Sequence, residues 1–235
     1  MKPVVVFRQV LTEGAGYLGT FLEQNNIPWQ EVRIDLGETL PATAKDFSGL
    51  VLMGGPMSVN DDLPWISPVL DLIREAVNAD IPVLGHCLGG QLMSKALGGV
   101  VSKNPVKEIG WGEVRVSDAP EAKKWFGDTK EFLSFHWHGE TFSLPQGVTH
   151  VLASQYCPNQ AWGMGKHFAF QCHVEMTEEM VKVWCDTGAQ EMQSCAGVVS
   201  VQTKEIMQQD LPKRVTDLNA VANSVYQVWI QGLKA

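Results

Sequence analysis

The stretch IPVLGHCLGGQLMSKALGG, residues 81–99, decides the fold. Its first part, IPVLG, is a short apolar run suited to a buried strand. Its last part, GGQLMSKALGG, has the spacing of a helix. Between them Gly85-His86-Cys87-Leu88-Gly89 reads G-x-C-x-G. A strand that turns into a helix within two residues needs glycines where side chains would meet neighbouring backbone. Such a bend presents its central residue beside a helix N-terminus, where partial positive charge favours thiolate over thiol. Cysteines are more often small core residues than nucleophiles. The glycine frame tips Cys87 toward nucleophile.

Working outward, strand and helix alternate from residue 1 to about 99. VVVF (4–7), WQEVRI (29–34) and SGLVLMGGP (48–56) predict strands, and GYLGTFLEQNNI (16–27) predicts a helix. SPVLDLIREAVNADI (67–81) predicts another, capped by Ser67 with Pro68 at its first position. This alternation implies an α/β fold with a mostly parallel central sheet flanked by helices. From about 100 to 175 the pieces are short and β-like: GWGEVRVS, EFLSFHWHGETF, THVLASQY, AWGMG and HFAFQCHVE. They predict antiparallel additions to the same sheet. From Thr177 the chain turns helical, with TEEMVKVWCDTG capped by Thr177 and stopped by Gly188. Two further helices follow, in 201–211 and 213–233. The organisation expected is one domain over 1–190 and a helical C-terminal extension over 191–235 packed on it.

Bulk properties narrow the function. The 235 residues carry a formal net charge of −8, and no basic cluster is denser than EAKKW (121–125). An acidic chain gains little from displacing counterions around phosphates, so nucleic acid is a poor partner. No apolar run suits a signal peptide or a membrane span, and a cytoplasmic location is expected. The cysteines are Cys87, Cys157, Cys172, Cys185 and Cys195. An odd count without C-x-x-C spacing fits reduced thiols rather than disulfides or a structural zinc site.

A thiolate needs a base and a group to orient that base. FQCHVE (170–175), if extended, puts Gln171, His173 and Glu175 on one face, with the carboxylate beside the imidazole. The turn Gly54-Gly55-Pro56 ends a parallel strand on the same side as Cys87. Backbone N–H groups there and at Leu88 could bind an oxyanion. His136 and His138, in HWH, have a spacing that suits a metal, and with His173 and Glu175 they suggest a metallohydrolase. That alternative leaves the glycine frame around Cys87 unexplained. Cys172 and Cys185 read as core residues.

GGPMSV, GHCLGGQLMSKALGG and FQCHVE, in this order and separation, resemble the class I glutamine amidotransferase domain. KEIGWGEV, HWHGETFSLP and PNQAWGMG extend the likeness to free-standing amidotransferases related to the glutaminase part of GMP synthase. The resemblance covers about residues 3–185 and implies a flavodoxin-like fold. It also implies a Cys87–His173–Glu175 triad, an oxyanion hole at Gly55 and Leu88, and substrate contacts from Gln91 and His138. Glutamine would be hydrolysed to glutamate and ammonia through a thioester, without metal or organic cofactor. Any ammonia acceptor would be a separate synthetase. Two positions depart from the family pattern F-Q-F-H-P-E: Cys172 replaces the second Phe and Val174 replaces Pro. A γ-glutamyl peptide hydrolase using the same triad, and a catalytically silent binding protein on the same fold, are the competing readings.

Overall fold

Val4, Val5, Val6 and Phe7 are buried on both sides of one strand. Such a strand belongs inside a sheet covered on both faces. The computed structural model, which describes residues 1–234, places it there. The strands are β1 (Val4–Arg8), β2 (Trp29–Arg33), β3 (Gly49–Leu52), β4 (Val83–His86), β5 (Val101–Val116), β6 (Glu131–Phe142), β7 (Thr149–Ser154), β8 (Ala161–Met164) and β9 (His167–Phe170). They form one nine-stranded sheet in the order β2-β1-β3-β4-β9-β8-β7-β5-β6. The first five in that order run parallel. The remaining pairings are antiparallel.

The helices are α1 (Gly16–Gln24), α2 (Ile66–Asn78), α3 (Leu88–Ala96), α4 (Pro120–Phe126), α5 (Glu178–Thr187), α6 (Ala189–Ser194), α7 (Lys204–Gln208) and α8 (Leu211–Ile230). Alternate strand residues feed two cores. Val4, Val6, Val51, Leu84 and Phe170 join the α1, α5 and α8 side. Val5, Phe7, Leu50, Leu52 and Val83 join the α2 and α3 side. Each buried large apolar side chain contributes roughly 1.5–3 kcal/mol. The period of two therefore fixes which helices lie on which face.

Residues 204–230 add to the first of these cores. Met207, Leu211, Leu218, Val225, Tyr226 and Trp229 are buried in the same cluster as Leu18 and Phe21. Trp229 lies over Gly49, where a β-carbon would come within 3.0 Å of its ring. Among the described residues no helix is long and apolar enough to cross a membrane. All five cysteines are free, and only Cys195 is not buried.

Three local expectations change. Helix α2 begins at Ile66 with Trp65 at the cap position, so Ser67 is not its cap. The turn joining Ile66 N–H to the Leu63 carbonyl leads straight into the helix, and the Trp65 carbonyl accepts the first helical bond, from Val69. Pro68 still falls in the first turn, where its missing N–H costs nothing. Second, β9 belongs to the parallel half, next to β4, while also pairing antiparallel with β8. Third, β9 stops at Phe170. FQCHVE is therefore not a strand: the chain crosses to β6, where His173 N–H bonds the Phe135 carbonyl at 2.8 Å. Gln171, Cys172, His173, Val174 and Glu175 are all buried, so no exposed polar face exists there. Thr177 and Gly188 bound α5 as their residue types suggest, with the Thr177 hydroxyl accepting from Met180 N–H.

Candidate active site

The elbow follows from steric exclusion. A β-carbon on Gly85 would come within 2.6 Å of the Gly89 carbonyl carbon. On Gly89 it would collide with the Leu52 carbonyl, and on Gly90 with that of Phe170. Helix α3 thus sits directly on β3 and β9, closer than any side chain permits. Cys87 stands at the cap position of α3 with φ 50° and ψ −107°. A non-glycine residue in that region is strained, and such strain persists only where surrounding structure holds it. Its N–H bonds the Phe170 carbonyl at 3.0 Å, tying the elbow to β9.

Because β9 neighbours β4, the chain leaving β9 arrives beside Cys87. His173 Nδ1 and Glu175 Oε1 are 2.7 Å apart with both side chains buried, and Val174 between them is fully buried. His173 Nε2 is buried without a hydrogen-bond partner. Burial opposes charge on His173. The Glu175 carboxylate and the Cys87 thiolate outweigh it and raise the imidazole well above its ordinary pKa. Burial likewise opposes charge on Glu175, and His86 and His173 outweigh it, holding the carboxyl below its ordinary range. Trp184 meets the His173 ring edge-on at a centroid distance of 4.8 Å, fixing its plane.

Gly55 and Leu88 come together: a β-carbon on Gly55 would be 3.0 Å from Leu88 Cδ2. Leu88 opens α3, so its N–H has no acceptor within the helix. No hydrogen bond among the described residues uses the N–H of either residue. Gln91 lines the cleft and donates to Gln171 Oε1 at 3.1 Å, and Gln171 Nε2 in turn lies 3.5 Å from Cys87 Sγ. The cleft has a volume of about 830 Å³ and includes Cys87, Gln91, His138, Trp137 and Glu13 in its lining.

His136 and His138 do not join His173 and Glu175. They cluster instead with Glu108, their ligand atoms within 4.8 Å of one another. His138 Nε2 lies 3.0 Å from Glu108 Oε2. The Gln160 amide nitrogen faces all three, at 2.8 Å from Glu108 Oε2, 3.3 Å from His136 Nδ1 and 3.4 Å from His138 Nε2. A donor occupies the point on which the three groups converge, so the cluster is tied together by the Gln160 amide nitrogen, while Gln160 Oε1 is left buried without a partner. This removes the donor set that a metallohydrolase would need at Cys87. His138 still reaches the cleft wall.

Sequence reasoning set Gln171 beside His173 without giving it a role, and passed over Trp184 and Glu13. Glu13 follows β1 in a glycine-rich turn at the carboxyl edge of the parallel strands. That is where open α/β sheets build their sites, and it is the signal that points to it.

Comparison with known proteins places this geometry in context. The family model described as glutamine amidotransferase class-I matches residues 9–182. A crystal structure of a glutamine amidotransferase from Methylobacillus flagellatus superposes with a TM-score of 0.96 at 44% identity, covering 100% of this chain and 96% of that one. A glutamine amidotransferase-like protein of Salmonella typhimurium, YfeJ, is 32% identical over 192 residues, 79% of this chain and 80% of its own. The glutamine-hydrolysing GMP synthase of Vibrio vulnificus is 30% identical over 151 residues, 63% of this chain but 27% of its own length.

Proposed function

The chain belongs to the class I glutamine amidotransferase family, and on that premise we propose that it hydrolyses the side-chain amide of glutamine. Cys87 is the nucleophile, His173 the general base and acid, and Glu175 the group that orients His173. The thiolate adds to the amide carbon, and the oxygen takes the charge between the N–H groups of Gly55 and Leu88. His173 gives its proton to the nitrogen, ammonia leaves, and a γ-glutamyl thioester remains. Water then attacks the thioester while His173 takes its proton, and glutamate is released. Gln91 holds the substrate, with His138 in the wall behind it. None of these steps calls on a metal or organic cofactor.

One observation carries this reading. Glu175 fixes one nitrogen of a buried imidazole, and the other is left without a partner beside a strained cysteine. A structural histidine would satisfy both. The same observation weighs against a silent binding protein.

A second reading keeps the chemistry and changes the substrate. The cleft, about 830 Å³, is wider than one free amino acid fills and lies toward the upper end of the roughly 300–1,000 Å³ typical of ligand pockets. That width favours a γ-glutamyl peptide or conjugate. If ammonia is passed on, the proposed acceptor is a separate synthetase; the likeness to GMP synthase spans about a quarter of that enzyme. A cytoplasmic setting belongs to the same proposal, given five free thiols.

Purified protein offered glutamine, γ-glutamyl peptides and simple amides is expected to release ammonia and glutamate from glutamine. It should also form a covalent adduct on Cys87 with a glutamine-mimicking electrophile. Turnover of γ-glutamyl peptides alone would decide for the hydrolase. Neither turnover nor adduct would leave the silent protein.

A further inference from the structure

Glu13 is the acidic side chain the mechanism above does not use. Its loop is clamped to the site from two sides. The Trp184 indole N–H donates to the Thr12 carbonyl at 2.8 Å. Tyr17 N–H donates to the carbonyl of Glu175 itself, also at 2.8 Å. Gly16, at φ 52°, lets the loop press onto that carbonyl, where any β-carbon would collide. The side chain is thereby laid against Gly54. A β-carbon there would strike Glu13 Oε2 and would stand 3.2 Å from His173 Cε1. The carboxylate therefore borders the His173 ring and the cleft. No hydrogen bond among the described residues reaches it, although every neighbouring loop is pinned.

The position has a chemical meaning. In the tetrahedral intermediate the oxygen points to Gly55 and Leu88, and the departing nitrogen points to His173. Glu13 shares the Gly54 side with His173, while Leu88 lies against Gly55. An amide nitrogen carries two N–H groups, and both must find acceptors once water is excluded. The other ionisable groups around the cleft are otherwise engaged or set apart. Glu175 is bound to His173 and His138 to Glu108. Lys107 pairs with Glu191 at the rim. Cys87 is the nucleophile, while Asp61, Lys103 and Glu140 line the cleft without reaching Gly54.

We propose that Glu13 is a further catalytic residue on the leaving-group side, its carboxylate accepting an N–H of the scissile amide and holding that nitrogen for the proton from His173. The inference rests on the amide-hydrolysis reading. The contact strengthens as the nitrogen gains a proton and positive charge, so it belongs to the transition state and appears in kcat more than in KM. Burial pushes the Glu13 carboxyl up to about 7, with His173 pulling it down and Glu175 pushing it up. Assays at pH 8 therefore read the charged form.

The test compares an amide with an ester. Glutamate γ-methyl ester forms the same thioester but has no N–H on its leaving group. Glu13→Ala and Glu13→Gln, measured at pH 8, are expected to lower kcat on glutamine about 10- to 100-fold, the size of a hydrogen bond to a charged acceptor. On the ester both variants should stay within about threefold of wild type. Equal losses on amide and ester would overturn the proposal and make Glu13 a support for His173. Unchanged glutamine turnover in both variants would overturn it as well. Wild-type protein that cleaves neither glutamine nor the ester would instead overturn the amide-hydrolysis reading on which the proposal stands.

Discussion

Two hydrogen-bonded, buried histidine–carboxylate pairs lie among the described residues, and they are built to opposite ends. His138 and Glu108 meet at 3.0 Å, and each ring nitrogen and each carboxylate oxygen of this pair has a partner. Ser154 Oγ donates to Glu108 Oε1 at 2.7 Å, Gln160 to Oε2, and His138 Nδ1 lies 3.0 Å from the Glu140 carbonyl. His173 and Glu175 meet at 2.7 Å, yet His173 Nε2 and Glu175 Oε2 have no hydrogen-bond partner. Burial alone does not distinguish the pair proposed to be catalytic, since both are buried. The atom left unpaired beside a strained thiol does. An unpaired buried polar atom costs about 1–3 kcal/mol; in the Glu108 network that cost falls on neither member of the pair but on Gln160 Oε1 beside it.

The comparison predicts that damage to the two pairs separates into activity and stability. Cys87→Ala is expected to abolish ammonia release from glutamine, a loss beyond about 10³-fold, with little change in melting temperature. His173→Gln should follow at about 10²–10⁴-fold. A melting curve and a coupled glutamate assay on the same sample check both. In the other pair, Glu108→Ala leaves His138 and Gln160 facing an empty site. It should cost about 3–5 kcal/mol by urea denaturation, while the folded fraction keeps its turnover within about tenfold. If Glu108→Ala lost activity without losing stability, the division between the two pairs would be wrong.

Acid should act through the Glu108 network first. Burial pushes His136 down to about 4, with Glu108 partly opposing. Its folded pKa is below the unfolded value near 6.5. The stability it contributes is therefore present above 6.5 and lost as pH falls toward 4. His167, also pushed down to about 4 by burial, titrates in the same window. Stability measured between pH 7 and 4 should fall on the order of 2–3 kcal/mol for each such group, and His136→Gln should remove only its own share. Smallest of all is Tyr226→Phe in α8. It removes the hydroxyl 3.1 Å from His86 Nε2, behind Glu175, and should cost about 1 kcal/mol. A change in the pH profile of Cys87 alkylation in that variant would show that α8 also sets the proposed triad.

Legibility in the sequence followed the range of the interactions. Gly85 announces a sharp strand-to-helix turn because its constraint, against Gly89 and Gly90, is contained in a few residues. The contacts that demand Gly89 and Gly90 come instead from Leu52 and Phe170 on other strands. Thr177 and Gly188, also acting within a few residues, mark the ends of α5. Ser67 misled, because a turn at Leu63–Ile66 took over the start of α2. FQCHVE misled more instructively. Its alternation reads as a strand, yet the segment is enclosed on all sides and pairs with Phe135 on β6, some forty residues away in sequence.

By itself the sequence determined the α/β class and the sharp turn at Cys87, and it pointed to the side chains proposed to serve that cysteine. These depend on periodicity, on the Gly85 contact within the turn and on side-chain chemistry, all local. Only the tertiary structure decided that β9 lies beside β4, which is what delivers His173 and Glu175 to the cysteine. It alone tied His136 and His138 into a network with Glu108 and Gln160, and laid Glu13 against Gly54. Strand order and loop docking are settled by burial across the whole sheet, and no short stretch of sequence contains that balance.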